Sequence, residues 1–360
     1  PARFDSIGAD GPLRSVDGFA RSEWDGALSG AVIALAALDN GVPAGIEDSL
    51  EGTLLAPLAA KFARNFRTAS RGGVVRADLT ARVEDGALSL VVPEARLTSG
   101  AGETILGASR VSWSQGALRG NLMTGGAGLP RISGRMEQAG GPGDVGGEGG
   151  GEGAGDLVFR LAMAPYEALS QSGEAVLAVP RMELRRTRAG FAFAGVVEAS
   201  GAIPGGRIEG LRLPLAGTYA GGRLAVGRRC TALAFERVLY AALEIGRERV
   251  TLCPDEARAM VLYDDALRLS LAAEDLAVEG GLGETRLRLA AERARLSTPG
   301  GFALSGLEVA LGEDEAAVRL AAAALTGEIG ETITGAFAGG TAAIDAVPLD
   351  LAALSGDWRY

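Results

Sequence analysis

The stretch Leu267-Arg268-Leu269-Ser270-Leu271 alternates apolar and polar residues one by one. Successive side chains of a β-strand point to opposite faces, so this period of two predicts a strand with one apolar face and one face in water. The same alternation recurs upstream and downstream. Its apolar positions, which we take as the apolar face of half-buried strands, are Phe191, Phe193, Leu211, Leu213, Leu215, Leu267, Leu269, Leu271, Leu287 and Leu289.

Glycine-containing turns separate the strand-like stretches. Similar units of strand, tight turn and strand occur at residues 24–30, 84–90, 113–120 and 219–224, with Asp-Gly, Gln-Gly or Gly-Gly at the turn. Their spacing is irregular, which argues against a solenoid of fixed period. We therefore predict a mainly β protein built as a long antiparallel meander of hairpins.

Residues 54–67 follow a different period, with apolar residues three and four positions apart. This spacing predicts an amphipathic helix that packs on an edge of the sheet or plugs one end of it. A second short helix is expected near residues 165–172. The apolar positions of the first helix are Leu54, Leu55, Leu58, Phe62 and Phe66, and Lys61, Arg64 and Arg67 share the opposite side.

The segment 139–156 interrupts the strand pattern. Ten of its 18 residues are glycine, and its charged residues are all acidic. We predict a flexible loop inserted between two segments of one sheet, residues 1–138 and 157–360, because similar strand patterns lie on both sides. The last residues, Trp358-Arg359-Tyr360, read like the interior of a strand, so we expect the sequence to be a fragment of a longer chain.

The composition excludes several kinds of chemistry. The chain has no histidine, which removes Ser-His-Asp triads, imidazole bases and His-ligated metals. Its formal net charge of −10 disfavours binding to the nucleic-acid backbone. The acidic cluster at 313–315 is typical of a solvated turn. We predict a protein that is not an enzyme, with no catalytic residue, no metal and no cofactor.

The two cysteines border strand-like stretches. Cys230 precedes one apolar run and Cys253 ends another, with 22 residues between them. We predict a disulfide between them, which would require an oxidising compartment such as the bacterial periplasm. The alternative is a pair of unrelated buried thiols.

Two stretches around these cysteines resemble a known family. Cys230-Thr231-Ala232-Leu233-Ala234-Phe235 and Val250-Thr251-Leu252-Cys253-Pro254 resemble the cysteine-bracketed segment of the YdbH family, AsmA-like envelope proteins related to TamB. The glycine turns and the helix near residues 54–67 also fit that family. The resemblance implies a long, curved antiparallel sheet of hairpins that forms an open, apolar-lined groove in the periplasm, with the ten alternating apolar residues named above as candidates for lining it. Such a groove would move phospholipids between the inner and outer membranes.

The expected function is therefore that of a periplasmic lipid-transfer scaffold. Its partners would be phospholipids and, through parts of the protein outside this chain, the inner and outer membranes; an inner-membrane anchor would lie in such a part. The alternative is an extracellular β-rich adhesin resembling an autotransporter passenger, built as a parallel β-helix. The irregular spacing and the presence of only three asparagines argue against that alternative.

Overall fold

The computed structural model describes residues 2–16, 21–35, 52–138, 156–171, 173–255, 258–312, 318–330, 332–344, 347 and 349–359. In this part of the chain, most residues form β-strands, 24 in all, and one helix is present. The strands follow one another in hairpin-like order along a long antiparallel sheet. The predicted mainly β fold class is confirmed.

The chain divides into two compact units, Pro1–Arg188 and Ala189–Tyr360. Unit 1 contains helix α1 (Leu55–Ala69) and ten strands. These strands are β1 (Ala2–Asp10), β2 (Leu13–Val16), β3 (Arg21–Leu35), β4 (Gly73–Glu84), β5 (Ala87–Thr98), β6 (Thr104–Ser114), β7 (Ala117–Thr124), β8 (Ile132–Gln138), β9 (Leu157–Ser170) and β10 (Gly173–Thr187).

Unit 2 contains the remaining fourteen strands of the described residues. They are β11 (Gly190–Ile203), β12 (Gly206–Ala220), β13 (Arg223–Val226), β14 (Thr231–Phe235), β15 (Arg237–Tyr240), β16 (Leu243–Ile245), β17 (Glu248–Pro254), β18 (Val261–Tyr263), β19 (Leu267–Leu282), β20 (Thr285–Thr298), β21 (Gly301–Leu311), β22 (Val318–Ile329), β23 (Ile333–Ile344) and β24 (Leu349–Arg359).

Most neighbouring strands in each unit are consecutive in sequence. From β3 to β10 in unit 1, and from β19 to β24 in unit 2, each strand pairs with the next one along the chain. Every pairing within the described parts of the units is antiparallel, whereas a parallel β-helix has parallel pairs. Where the connection is short, antiparallel pairing follows because two antiparallel strands can be joined by a tight turn.

Three details differ from the sequence expectations or fall outside the structure. Residues 24–30 lie inside the long strand β3 and contain no turn, because each residue there pairs with β4. The second helix near 165–172 was a wrong prediction, since Tyr166 and Leu169 belong to β9 and pair with β10. The predicted loop is outside the described residues apart from Asp156, and the strands on either side of it, β8 and β9, pair with each other.

The long strands of unit 2 are interrupted along one aligned row of residues. Asp275 on β19, Gly306 on β21 and Gly339 on β23 have φ angles of 50°, 59° and 63°, in the left-handed region. Glu292 on β20 and Ala323 on β22 lie between them. A Cβ added to Gly306 would be 2.5 Å from the Glu292 Cγ, and a Cβ added to Gly339 would be 2.7 Å from the Ala323 Cβ. We call these five residues the interruption row.

The order of inward and outward side chains reverses at this row. On β19, Ala273 is buried and Leu276 is half-buried, but Glu274 and Asp275 between them are both exposed. A Cβ on Gly340 would lie 3.1 Å from the ring of Phe337, three residues earlier, so residues an odd number apart share a face. The pairing register does not shift across this row, so the reversal on one strand is matched on its neighbours and the apolar residues stay on one side of the sheet.

Aromatic rings of unit 2 lie over glycines of neighbouring strands. Phe302, Gly327, Gly335 and Trp358 form one cross-strand row from β21 to β24. A Cβ added to Gly327 would lie 2.4 Å from the Phe302 ring, and one added to Gly335 would lie 2.5 Å from the Trp358 ring. The ring centroids are 5.9 Å apart, so the two rings occupy the space that side chains on the glycines would take.

We expect Gly335→Ala to lower the free energy of unfolding by about 2 kcal/mol, because the new methyl group meets both the Trp358 ring and the backbone oxygen of Thr326. Urea unfolding followed by tryptophan fluorescence measures the change. Gly246→Ala is the matched control, since a Cβ there meets no atom within 4 Å. Equal effects of the two substitutions would contradict the tight contact.

Helix α1 packs on the sheet of unit 1 as predicted for residues 54–67, although with a different face. Leu54 and Leu58 are buried, whereas Leu55 is 40% and Phe62 is 37% exposed. Lys61 and Asn65 lie toward the sheet, because the Lys61 Nζ donates a hydrogen bond to a β9 carbonyl. The predicted apolar side of the helix was therefore only partly correct.

Polar contacts hold α1 across one end of unit 1. The Lys61 Nζ lies 2.6 Å from the carbonyl oxygen of Glu167 and 4.9 Å from the ring centroid of Tyr166. The Asn65 Nδ2 donates to the carbonyl of Gly128, 2.7 Å away in the loop between β7 and β8. Burial against the helix raises the pKa of Tyr166. The helix thus closes that end of the unit 1 sheet.

Candidate apolar binding face

Cross-strand rows place the predicted groove residues of unit 2 on one face. Phe193 faces Gly217, which faces Val226, and the row continues through Val261 to Leu269. Residues directly opposite in an antiparallel pair point to the same side of the sheet. This single row therefore joins β11, β12, β13, β18 and β19 into one surface.

A second row runs parallel to the first, two residues along each strand. Phe191 faces Tyr219, which faces Leu224, followed by Tyr263 and Leu267. Phe191 and Leu267 are 46% and 48% exposed, so this row lies near the margin of the surface. Because alternate residues of a strand share a face, both rows belong to the same side.

The other predicted residues extend this side in both directions. Leu211, Leu213 and Leu215 precede Gly217 on β12 with the same parity, and all three are half-buried. Leu271 follows Leu269 on β19. These eight predicted groove residues are thus on one side of unit 2, which we call the unit 2 apolar face.

The last two predicted residues are on the far side of the interruption row. Leu287 and Leu289 lie on β20, opposite Gly280 and Val278 of β19. Leu287 is 8% exposed and Leu289 is half-buried, whereas the intervening Arg288 is exposed. The reversal at the interruption row is what brings these two leucines onto the same face as Leu269 and Leu271.

The unit 2 apolar face contains residues that the sequence pattern did not single out. Alternation breaks at the interruption row, so the second halves of several strands did not show a continuous period of two. The pairing register adds to the face Val226, Val261, Leu276, Val278, Leu296, Leu304, Leu307, Leu325, Phe337, Leu354 and Trp358. On the described β11–β13 and β18–β24, the positions with this orientation are uncharged.

The opposite side of unit 2 carries the charges. Cross-strand arginines and carboxylates pair there, and their side chains are mostly exposed. The pairs are Arg212–Glu198, Arg237–Glu209, Arg286–Glu279, Arg288–Glu279 and Arg293–Asp255. Ion pairs of this kind contribute little stability individually, but they define which side of the sheet is in water.

Unit 1 has the same division into an apolar and a charged side. One row joins Trp24, Ala81, Leu90, Trp113 and Leu118 across β3 to β7. These positions, together with others of the same orientation on β4 to β10, form the unit 1 apolar face. Helix α1 covers this face where Tyr166 and Ala168 are buried.

A ladder of ion pairs crosses the charged side of unit 1. Arg135 contacts Glu137 at 3.0 Å, and Arg160 joins Glu137 at 2.9 Å to Glu183 at 3.2 Å; Arg185 completes the ladder, 3.1 Å from Glu183. The hydrogen bonds from Arg185 and Arg160 hold the pKa of Glu183 below its usual value. The hydrogen bonds that Arg160 donates to Glu137 and Glu183 raise the pKa of Arg160.

We expect Arg185→Gln to move the pKa of Glu183 back up toward its usual value, and Arg160→Gln to do so as well, since each removes a cation that favours the carboxylate. The lowered pKa contributes stability above the usual pKa, and this contribution is lost as the pH falls through the folded value. A carbon-detected NMR titration of the Glu183 carboxyl measures the shift. Arg135→Gln removes a cation that pairs with Glu137, and it should leave the pKa of Glu183 unchanged.

The predicted disulfide is present. Cys230 and Cys253 form an S–S bond, with Cα atoms 4.0 Å apart. Cys230 immediately precedes β14 and Cys253 lies in β17, and Thr231 and Leu252 beside them are paired. The bond therefore joins the start of β14 to the end of β17 and encloses β15 and β16.

The described ranges contain neither a cluster suited to a metal ion nor a membrane-spanning helix. There, no cluster of three or more acidic or cysteine residues is arranged to hold a metal ion. The acidic cluster at 313–315 is outside these ranges. No helix among the described residues is long and apolar enough to cross a membrane.

Comparison with known proteins does not assign the chain to a family. No family model matches it, and neither a curated protein nor a solved structure is significantly similar. Functional inference therefore rests on the two apolar faces, the charged sides opposite them and the helix that covers one end of unit 1.

Proposed function

We propose that the protein is a lipid-transfer scaffold that shelters phospholipid acyl chains on the apolar faces of its β-sheets. One observation supports this most: the unit 2 apolar face extends over β11–β13 and β18–β24 without a charged position, whereas the opposite side carries cross-strand ion pairs. Such a surface suits an elongated apolar ligand better than a compact polar one.

The energetics favour this class of ligand. A phospholipid exposes on the order of 30 methylenes, and wetting each one costs about 0.8 kcal/mol, so an unsheltered lipid faces a barrier of tens of kcal/mol in water. A surface of Leu, Val and Phe side chains removes much of that cost by covering one side of the acyl chains. The head group stays in solvent, where it needs no specific protein contact.

The degree of burial also fits an adaptable ligand surface. Most residues of the unit 2 apolar face are half-buried, and none of the large side chains in the described part of the chain is below 2% exposure. Their remaining apolar surface is open to contact. Exposed apolar surface of this extent typically marks a site of binding to an apolar partner.

The resemblance to YdbH-type, AsmA-like proteins gives the cellular setting of the proposal. In that setting the scaffold lies in the periplasm and passes phospholipids between the inner and outer membranes. The Cys230–Cys253 disulfide supports an oxidising compartment, since such bonds persist outside the reducing cytosol.

The test is to place photocrosslinking amino acids on the two sides of the sheet. Purified protein should retain phospholipid that mass spectrometry detects, and crosslinkers at Leu213 and Leu269 should capture it. The matched controls are Arg212 and Arg268, the adjacent residues on the charged side. Equal capture at all four positions, or none at Leu213 and Leu269, would overturn the proposal.

A further inference from the structure

Helix α1 and the residues just after it are a basic segment in an acidic chain. Residues 52–72 contain Lys61, Arg64, Arg67 and Arg71 and no acidic residue, whereas the whole chain has a formal net charge of −10. Such a concentration of positive charge is expected to attract an anionic partner over a distance of about a Debye length.

The same helix leaves part of its apolar surface uncovered. Leu54, Leu58 and Ala69 are between 8% and 1% exposed and pack toward the sheet of unit 1. Leu55 and Phe62 are 40% and 37% exposed, and the ring centroid of Phe66 is 5.8 Å from that of Phe62. Because these positions are separated by seven and four residues, Leu55, Phe62 and Phe66 form one stripe along the helix.

The stripe is positioned between the buried and the basic sides of the helix. With about 100° per residue, Leu58 is about 60° from Leu55 in one direction and Arg67 is about 120° from it in the other. Arg64 and Arg67 are exposed. This order, in which a packed side is followed by an apolar stripe and then by arginines, is typical of helices that lie in the interface of an anionic membrane.

A further exposed apolar residue, outside the helix, is found at the same end of unit 1. Leu169, at the end of β9, is 85% exposed and lies two residues after Glu167, whose carbonyl accepts the Lys61 hydrogen bond. Glu167 and Glu174 are exposed on the same hairpin, so this tip adds an apolar contact but no positive charge. The attraction to anions therefore comes from the helix.

We propose that α1 docks unit 1 on an anionic lipid membrane, with Leu55, Phe62 and Phe66 entering the boundary between head groups and acyl chains. Arg64 and Arg67 then contact lipid phosphates, since long basic side chains reach from an apolar surface to the head groups. The charge complementarity selects a membrane over an apolar protein surface as the partner. This inference does not depend on lipid binding to the unit 2 apolar face.

The experiment is flotation of the full chain with vesicles of phosphatidylcholine alone or with 30% phosphatidylglycerol. We expect binding to the anionic vesicles only, with a decrease as salt is raised. Arg64→Glu/Arg67→Glu should weaken it by about 25-fold or more, since each arginine contributes about fivefold. The matched control Arg119→Glu/Arg223→Glu, which changes exposed arginines outside the helix, should bind like the unmodified protein.

The apolar stripe is tested separately with Phe62→Ser, which we expect to weaken binding by about tenfold. Met123→Ser is its control, because Met123 is 58% exposed and, an odd number of residues from Leu118 on β7, faces the side of the sheet opposite the unit 1 apolar face that α1 covers. Circular dichroism confirms that each variant is folded. No preference for anionic vesicles, or unchanged binding in the helix variants, would overturn the inference. It would also be overturned if Phe62→Ser abolished self-association of the protein but left vesicle binding unchanged. Lipid capture at Leu213 and Leu269, measured on the same variants, reports on the scaffold function independently.

Discussion

Leu289→Asp is expected to reduce the phospholipid retained by the purified protein by at least tenfold. Leu289 is half-buried on the unit 2 apolar face, opposite Val278. A carboxylate there either stays hydrated, which keeps acyl chains away, or loses its water at a cost of several kcal/mol. Both routes remove the favourable contact between lipid and sheet. Quantitative mass spectrometry of lipid per mole of protein measures the effect.

The adjacent residue provides the control for this prediction. Arg288→Asp changes the charge more, but on the opposite side of β20, where Arg288 pairs with Glu279 at 3.5 Å. It should retain lipid at nearly the normal level. Because Leu289→Asp also weakens packing, Leu213→Asp on the distant strand β12 repeats the test. Retained lipid in both folded leucine variants would argue against acyl-chain binding on this face.

The second large effect is expected from removal of the disulfide. Cys230→Ala/Cys253→Ala should lower the free energy of unfolding by about 3 kcal/mol, because the bond closes a loop of 23 residues in the unfolded chain. In the native state the ends of β14 and β17 stay paired through their backbones, so the loss is expressed mainly in the unfolded ensemble. Urea titration of the full chain measures the change.

A reducing agent should have the same effect on the unmodified protein and none on the double alanine variant. This comparison separates loss of the covalent link from loss of the sulfur atoms as packing groups. An equal midpoint for the oxidised protein and the variant would show that the bond contributes no stability. A transition confined to unit 2 would place the effect in the unit that contains both cysteines.

Much of the fold could be predicted from local sequence patterns. Alternation at Leu211–Leu215 and at Leu267–Leu271 depends on neighbouring residues only, and it predicted both the strands and the side that is apolar. The pairing of Cys230 with Cys253 was predicted from the apolar runs beside them, and the position of α1 followed from its period of three and four.

Other features depend on contacts between distant residues. The side of α1 that packs was misjudged because Lys61 reaches the Glu167 carbonyl, a partner 106 residues away, while the apolar Phe62 stays exposed. The turn predicted at Asp25-Gly26 is absent because β4 pairs along the whole of that stretch. Residues near Pro165 suggested a helix, but pairing with β10 outweighed that local preference.

The interruption row has a consequence for how the strands of unit 2 find their partners. A sheet made of repeated Leu-polar alternation has a near translational symmetry, since sliding one strand by two residues again places leucine beside leucine. Asp275, Gly306 and Gly339 break that symmetry, because a slipped strand would set the reversal on one strand against a regularly alternating stretch of its neighbour. Only one alignment brings these residues together with Glu292 and Ala323. The row therefore fixes one strand register as the most favourable, which the repetitive alternation of the sequence would not specify otherwise.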